Sequence, residues 1–166
     1  MKNVRALLLM CLLSATAMSQ TWDAVGPFGG WINVLTKDVS GNVYAGTYVG
    51  GIFKTSNNGD TWVQIYNDTL IIDPLSVALN SSGDIFVGAS PGFLRSTNGG
   101  VTWQKINNAL NTRTVESLVV LANGDILAGN WGGSGVYRST DNGTTFATIN
   151  NGLSNTQVRS DRKSVV

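Results

Sequence analysis

The side chains with chemistry to offer are few, and their types are as informative as their places. Histidine is absent from the 166 residues, and Cys11 is the only cysteine. For a mature chain that starts after residue 19, a histidine base, a cysteine nucleophile, a disulfide and Cys or His metal ligation are all excluded. Glu116 is the only glutamate. It falls on an expected strand, and glycoside cleavage by a carboxylate pair needs a second carboxyl that the sequence does not place beside it. No catalytic residue is assigned. The acidic turns bring one carboxylate each at most, short of the roughly six to eight oxygens that Ca²⁺ takes, so no metal or other cofactor is expected. Two glycine-rich runs, 46–51 and 129–133, have the look of phosphate loops, yet neither opens a helix or precedes a Lys-Ser pair. Contact chemistry remains. Tyr48 and Trp131 offer large ring area for little lost entropy, Asn67 offers an amide and Arg113 a cation. All four lie in expected loops and are the candidate binding residues. The alternative for each ring is packing against its own neighbouring repeat.

The elements that position these residues recur. Gly41-Asn42-Val43-Tyr44-Ala45-Gly46 returns as Gly83-Asp84-Ile85-Phe86-Val87-Gly88 and as Gly124-Asp125-Ile126-Leu127-Ala128-Gly129, with starts 42 and 41 residues apart. A second landmark, Thr55 to Trp62, returns as Ser96 to Trp103 and Ser139 to Phe146, with starts 41 and 43 apart. A period in the low forties holding four short apolar runs is one propeller blade. The expected strands are 32–38, 43–47, 52–55 and 62–65; then 76–80, 85–89, 93–96 and 103–106; then 115–121, 126–130, 136–139 and 146–149. Gly, Asn, Asp or Ser bounds these runs, and no window carries a helical period. The fold class is all-β: about three complete four-stranded antiparallel blades of a β-propeller with an incomplete ring.

Two fragments flank the repeats. Trp22-Asp23-Ala24-Val25 matches the fourth strand of the later units with no first three before it, as an N-terminal closing strand would. Val158-Arg159-Ser160 begins what would match Val115-Glu116-Ser117, and residues 161–166 leave the pattern. Three blades are fewer than the four to eight of closed rings. The chain therefore reads as a truncated or frameshifted piece of a longer propeller, with an oligomeric ring of short chains and a free-standing arc as alternatives. Open blade edges predict self-association.

Lys2 and Arg5 precede the apolar run 6–13, and Ala17 and Ser19 stand three and one before a cut site. This predicts a signal peptide over 1–19 and a mature chain from Gln20. The expected organisation is signal 1–19, propeller repeats 20–153, then a truncated further blade and irregular tail over 154–166. The destination is outside the cytoplasm, extracellular or periplasmic. No stretch is long enough for a membrane-spanning helix. Eleven basic against ten acidic residues give a net charge of +1, which supplies no field for nucleic acid or anionic lipid.

The second landmark has the form Ser/Thr-x-Asn/Asp-x-Gly-x-Thr-Trp/Phe. Its copies are Thr55, Asn57, Gly59, Thr61 and Trp62; Ser96, Asn98, Gly100, Thr102 and Trp103; and Ser139, Asp141, Gly143, Thr145 and Phe146. The Asn or Asp accepts backbone N–H groups inside a tight turn, the glycine permits positive φ, and the threonine bonds back across it. The aromatic then packs between adjacent sheets, making each copy a folding staple. Over roughly 22–153 these residues resemble the Asp-box (BNR) propellers, a family that includes sialidases, other glycoside hydrolases, sortilin-type receptors and photosystem assembly factors. Asn57 and Asn98 stand where aspartate is commonest. For a sialidase the resemblance implies three arginines around a substrate carboxylate, a tyrosine nucleophile paired with glutamate, an aspartate acid/base and an early Arg-Ile-Pro segment. That segment is missing, and no arginine lies between Arg5 and Arg95. Arg95 and Arg138 stand directly before the motif, as Lys54 does, which reads as a repeat feature. In such a blade the motif turns share one rim with the first turns. The other rim carries the variable loops 48–51, 90–92, 131–135, 67–74, 107–114 and 150–157. The functional expectation is a secreted, non-catalytic propeller module that binds a protein or carbohydrate partner through that rim. A sialidase-like hydrolase fragment and a structural or assembly-factor propeller are the alternatives.

Overall fold

The computed structural model describes residues 26–67, 73–106, 110 and 112–159. The expectations for the signal segment, for the strand at Trp22 and for residues 160–166 fall outside the described residues. The described chain is twelve strands in three antiparallel sheets, each with its strands in chain order. Blade 1 is β1 (Ile32–Lys37), β2 (Val43–Thr47), β3 (Gly51–Thr55) and β4 (Val63–Tyr66). Blade 2 is β5 (Asp73–Leu79), β6 (Ile85–Ser90), β7 (Gly92–Ser96) and β8 (Gln104–Lys105). Blade 3 is β9 (Thr114–Val120), β10 (Ile126–Trp131), β11 (Gly135–Ser139) and β12 (Ala147–Thr148). No closed ring forms among the described residues, so the architecture is an incomplete propeller.

Several strand ends differ from the sequence expectation for reasons of pairing. β5 includes Asp73 and Pro74, ahead of the expected start, because they continue the ladder opposite Ser90 and Ala89. Trp131, expected in a loop, is the last residue of β10, where it pairs with Thr114. The outer strands β8 and β12 are only two residues long. Their preceding aromatics turn inward: the Trp103 indole N–H donates to the Ile65 carbonyl of the previous blade at 2.8 Å, and the chain joins its own sheet only after that residue.

Every innermost strand carries one irregularity at the same place. The register shifts between Ile32 and Val34, between Pro74 and Ser76, and between the partners of Gly129 and Asn130. The extra residues are Asn33, Leu75 and Glu116. All three line one cavity of about 340 Å³ formed along the innermost strands. A bulge re-aims side chains while adding twist, and here it recurs where each innermost strand lines that cavity.

The core lies between blades. Tyr44, Ile52 and Tyr66 of blade 1 meet Val77, Ile85, Val87 and Leu94 of blade 2. Phe86, Phe93 and Ile106 of blade 2 meet Val115, Ile126, Tyr137 and Phe146 of blade 3. Alternation along β6 sends Phe86 to one interface and Ile85 and Val87 to the other, as a strand buried on both faces requires. The motif aromatics of blades 2 and 3 face the preceding blade, with Trp103 edge-on to Tyr66 at 5.3 Å and Phe146 edge-on to Phe93 at 4.9 Å.

The eight-residue turns share one bonding scheme. In the first, the Thr55 hydroxyl donates to Asn57 Oδ1 at 2.8 Å and accepts the Gly59 N–H at 3.1 Å, while Asn57 Oδ1 also accepts the Thr61 N–H at 3.0 Å. Ser96, Asn98, Gly100 and Thr102 repeat it, as do Ser139, Asp141, Gly143 and Thr145. The central glycines Gly59, Gly100 and Gly143 have φ of 99°, 93° and 81°. The first turns lie on the same rim: Asn80, between β5 and β6, donates to the side chain of Asn142 in the third motif at 3.2 Å, and Asn142 donates to Asp84 at 2.6 Å.

Candidate functional site

The opposite rim holds all four candidate binding residues, and the repeat explains where two of them stand. Tyr48, Ser90 and Trp131 each follow the residue that ends the second strand's pairing with the third, and lie opposite Trp31, Asp73 and Thr114 respectively. Blades 1 and 3 therefore present an aromatic at one equivalent position, and blade 2 presents a serine whose hydroxyl lies 3.1 Å from that of Thr114. Tyr48 is 44 % exposed and Trp131 42 %. Asn67 leaves β4 beside Gly51, and it is exposed. Arg113 enters β9, where its carbonyl accepts the Gly92 N–H at 2.8 Å; its side chain is exposed. The four thus share a rim but divide between blade 1 (Tyr48, Asn67) and the blade 3 side (Arg113, Trp131).

Two features of this rim were not legible in the sequence. The Arg159 guanidinium stacks over the Trp131 ring at 3.9 Å, so one face of that indole is already engaged. Trp31 is 80 % exposed and stacks on Tyr48, with centroids 6.1 Å apart and planes inclined by 27°. Trp31 precedes the first strand, where sequence periodicity assigns no face. The signal beside it is the pair Gly29-Gly30. A Cβ on Gly30 would fall 2.2 Å from the Tyr48 carbonyl oxygen, and one on Gly29 2.8 Å from the Gly50 Cα. Only glycine lets this segment lie against the β2–β3 turn, where the Tyr48 N–H donates to the Trp31 carbonyl at 2.8 Å.

The cavity is lined by the innermost strands β1, β5 and β9. Glu116 lines it with Asn33, Ser76 and Ser117, and is the one carboxylate among its lining residues. Asn33 donates to the Asp73 carboxylate and to the Pro74 carbonyl, tying the mouths of blades 1 and 2 together. The cations ahead of the motifs serve the fold. Arg95 donates to the Asn142 carbonyl at 2.7 Å across the blade 2–3 interface. Arg138 pairs with Asp125 in its own sheet, and the Lys54 ammonium lies 5.4 Å from the centre of the Tyr44 ring. Among the described residues no group of three or more His, Cys, Asp or Glu is placed to hold a metal ion, and no helix is long and apolar enough to cross a membrane.

Comparison with solved structures shows the same fold in proteins of different activity. The chain is similar to an ancestral GH74 enzyme, with a TM-score of 0.66 and 22% identity, over 79% of this chain and 20% of that one. It is similar to PorZ, a bacterial surface component of the type-IX secretion system of Porphyromonas gingivalis, with a TM-score of 0.58 and 12% identity, over 72% and 21% of the two chains. It is also similar to YCF48 bound to a D1 peptide, with a TM-score of 0.53 and 16% identity, over 78% and 43%. The chain thus spans between 20% and 43% of the length of these three. No protein-family model and no curated protein matches it. The class defined is a β-propeller-like fold, similar to that of a GH74 enzyme and of an extracellular domain from B. thetaiotaomicron.

Proposed function

We propose that this chain is an exported Asp-box (BNR) type propeller module that binds a protein or carbohydrate partner through its variable-loop rim and does not itself catalyse a reaction. The organisation proposed with it is a signal peptide over 1–19, repeats over 20–153 and the beginning of a further blade in 154–166, in an extracellular or periplasmic setting. The observation that carries the reading is the recurrence of an exposed aromatic at the same rim position in blades 1 and 3, Tyr48 and Trp131, while the motif turns are consumed by internal bonds on the opposite rim. Side chains spent on turn bonding have little left for a ligand, whereas half-exposed rings at loop ends retain their contact area. A glycan array and a pull-down from extracellular extracts test it. Trp131→Ala is expected to weaken the partner found by about 1 kcal/mol or more, and Asn57→Ala is expected to lower stability before it touches binding. Equal binding by wild type and Trp131→Ala would remove the rim from the account. Intact-mass measurement of secreted protein checks the export element, with Gln20 expected as the first residue.

A second reading, a piece of a glycoside hydrolase, is favoured by the position of Glu116 in the lining of the innermost-strand cavity. Turnover of a fluorogenic glycoside by the purified chain, lost in Glu116→Gln, would replace the binding reading with this one.

A further inference from the structure

We propose that Asn151-Gly152 is a site of spontaneous covalent modification, at which the chain converts its own asparagine to isoaspartate or aspartate and loosens the segment that follows blade 3. Asparagine before glycine is open to attack by the next backbone nitrogen because glycine has no side chain to stand in the way. The Gly152 nitrogen loses its proton and bonds to Asn151 Cγ, and the side-chain nitrogen leaves as ammonia, giving a cyclic imide. Water then opens that ring at either carbonyl, and no other reactant is needed. The sequence holds five such pairs, at Asn58, Asn98, Asn123, Asn142 and Asn151. Local sequence treats them alike, and the fold separates them.

The attack needs an unbonded glycine N–H and a side-chain amide able to turn onto it. Four pairs lack one or both. The Gly59 and Gly143 N–H groups donate to the Thr55 and Ser139 hydroxyls at 3.1 and 2.8 Å, and the Gly124 N–H donates to the Leu121 carbonyl at 2.9 Å. The Asn98 amide is fixed at both atoms, accepting the Thr102 N–H at 2.9 Å and donating to the Thr102 hydroxyl at 2.8 Å. Such bonds must open before the reactive geometry is reached, which costs free energy that an unbonded pair does not face. Asn151 and Gly152 are both exposed, and among the described residues neither the Asn151 side chain nor the Gly152 N–H has a hydrogen-bond partner. They are the central residues of a turn closed by the Leu153 N–H on the Asn150 carbonyl at 3.0 Å, with Gly152 at φ of 85°. Isoaspartate routes the main chain through its side-chain carbon and so adds a methylene inside this turn. Asn150, at its start, is anchored to blade 3: its Oδ1 accepts the Val136 N–H at 2.8 Å and its Nδ2 donates to the Ser134 carbonyl at 3.1 Å. Beyond it the Val158 N–H donates to the Asn130 carbonyl at 3.2 Å. A lengthened turn does not keep both anchors in register, and the segment 153–158 loosens from the blade.

The experiment is incubation of the purified full chain at mildly alkaline pH, with isoaspartate located by peptide mapping. More isoaspartate is expected at Asn151 than at the other four pairs together. Asn151→Gln, whose longer side chain closes the imide ring poorly, is expected to remove that signal from a chain that still folds, because the residue is exposed. The same incubation in guanidinium chloride is expected to bring the five pairs level, since the fold is what separates them. Another pair leading in the folded chain, or the preference for Asn151 persisting in guanidinium chloride, would each overturn the assignment. Amide exchange of the separated isoaspartyl form reads the structural consequence. Faster exchange than in the unmodified chain is expected at Leu153 and Val158, with β6 unchanged, and equal exchange at Leu153 in the two forms would overturn the loosening of the segment.

Discussion

At the scale of single residues, the third turn differs from the other two in one bond direction. Asn57 and Asn98 donate from Nδ2 to the hydroxyls of Thr61 and Thr102 at 2.9 and 2.8 Å. At Asp141 the Thr145 hydroxyl donates instead, to Oδ2 at 2.6 Å. The other bonds are alike because they use only an oxygen, which amide and carboxylate share. The consequence is a titration that only one turn possesses. The Thr145 hydroxyl, its backbone N–H and the Ser139 hydroxyl favour the ionised form and bring Asp141 down from an ordinary carboxylate to about 2. A folded-state value below the unfolded one contributes stability above about pH 4 that is lost as pH falls towards 2. Asp141→Asn is expected to flatten the pH dependence of unfolding in that window, read from denaturant midpoints between pH 2 and 5. An unchanged slope would mean that the turn does not sense its charge. Gly100 makes a second residue-scale case. It combines φ of 93° with a virtual Cβ 2.8 Å from Ile65 Cδ1. The Ile65 side chain can give way but the backbone cannot, so Gly100→Val should cost about 1–3 kcal/mol in urea unfolding.

At the scale of strands and turns, the repeated hexapeptide holds two glycines that do different work. Gly41, Gly83 and Gly124 have φ near 87°, 84° and 88° with open space around them, and serve the hairpin turn. Gly46, Gly88 and Gly129 have no such φ, but a Cβ on Gly88 would lie 2.5 Å from Val115 Cγ1 and 2.7 Å from the Val115 carbonyl oxygen. They let the innermost strand of the next blade approach. Gly88→Ala is expected to cost about 1–3 kcal/mol by overpacking and to speed amide exchange along β9. Gly83→Ala should confine its effect to the 80–84 turn. Equal exchange patterns would show that one strain explains both. The hexapeptide was visible in the sequence as a landmark. Which glycine turned the chain and which admitted a neighbour was not, because the neighbour comes from about thirty residues later. The same relation places the segment after β12. A Cβ on Gly129 would meet Val158 Cγ1 at 2.6 Å, and the Thr156 carbonyl accepts the Gly135 N–H at 2.8 Å as the Arg113 carbonyl accepts that of Gly92. Residues 156–158 thus lie against blade 3 as residues 113–115 lie against blade 2.

At the scale of the whole molecule, each blade owes its core to its neighbours, so stability is a chain of interface terms rather than one sum. Phe93 belongs to the blade 2–3 interface, stacked on Phe86 at 6.1 Å and edge-on to Phe146 at 4.9 Å, and it is fully buried. Phe93→Ala should remove about 3–5 kcal/mol from that interface. Calorimetry is expected to show blade 3 melting ahead of the rest; a single transition merely shifted down would show that the three blades unfold as one unit. The period, the four strands of each blade, the turn motif and the candidate rings Tyr48 and Trp131 were readable from the sequence alone. Alternation, glycine placement and hydrogen-bonding type are local properties, and a repeat states them three times. Tertiary structure alone decided the stacking of Trp31 on Tyr48, the covering of Trp131 by Arg159 and the bulges that bring Glu116, Leu75 and Asn33 to the lining of one cavity. The first two outcomes depend on contacts between segments whose spacing in the chain carries no period, and the third on bulges that recur with the repeat but at residues of unrelated type, so no residue pattern could announce them.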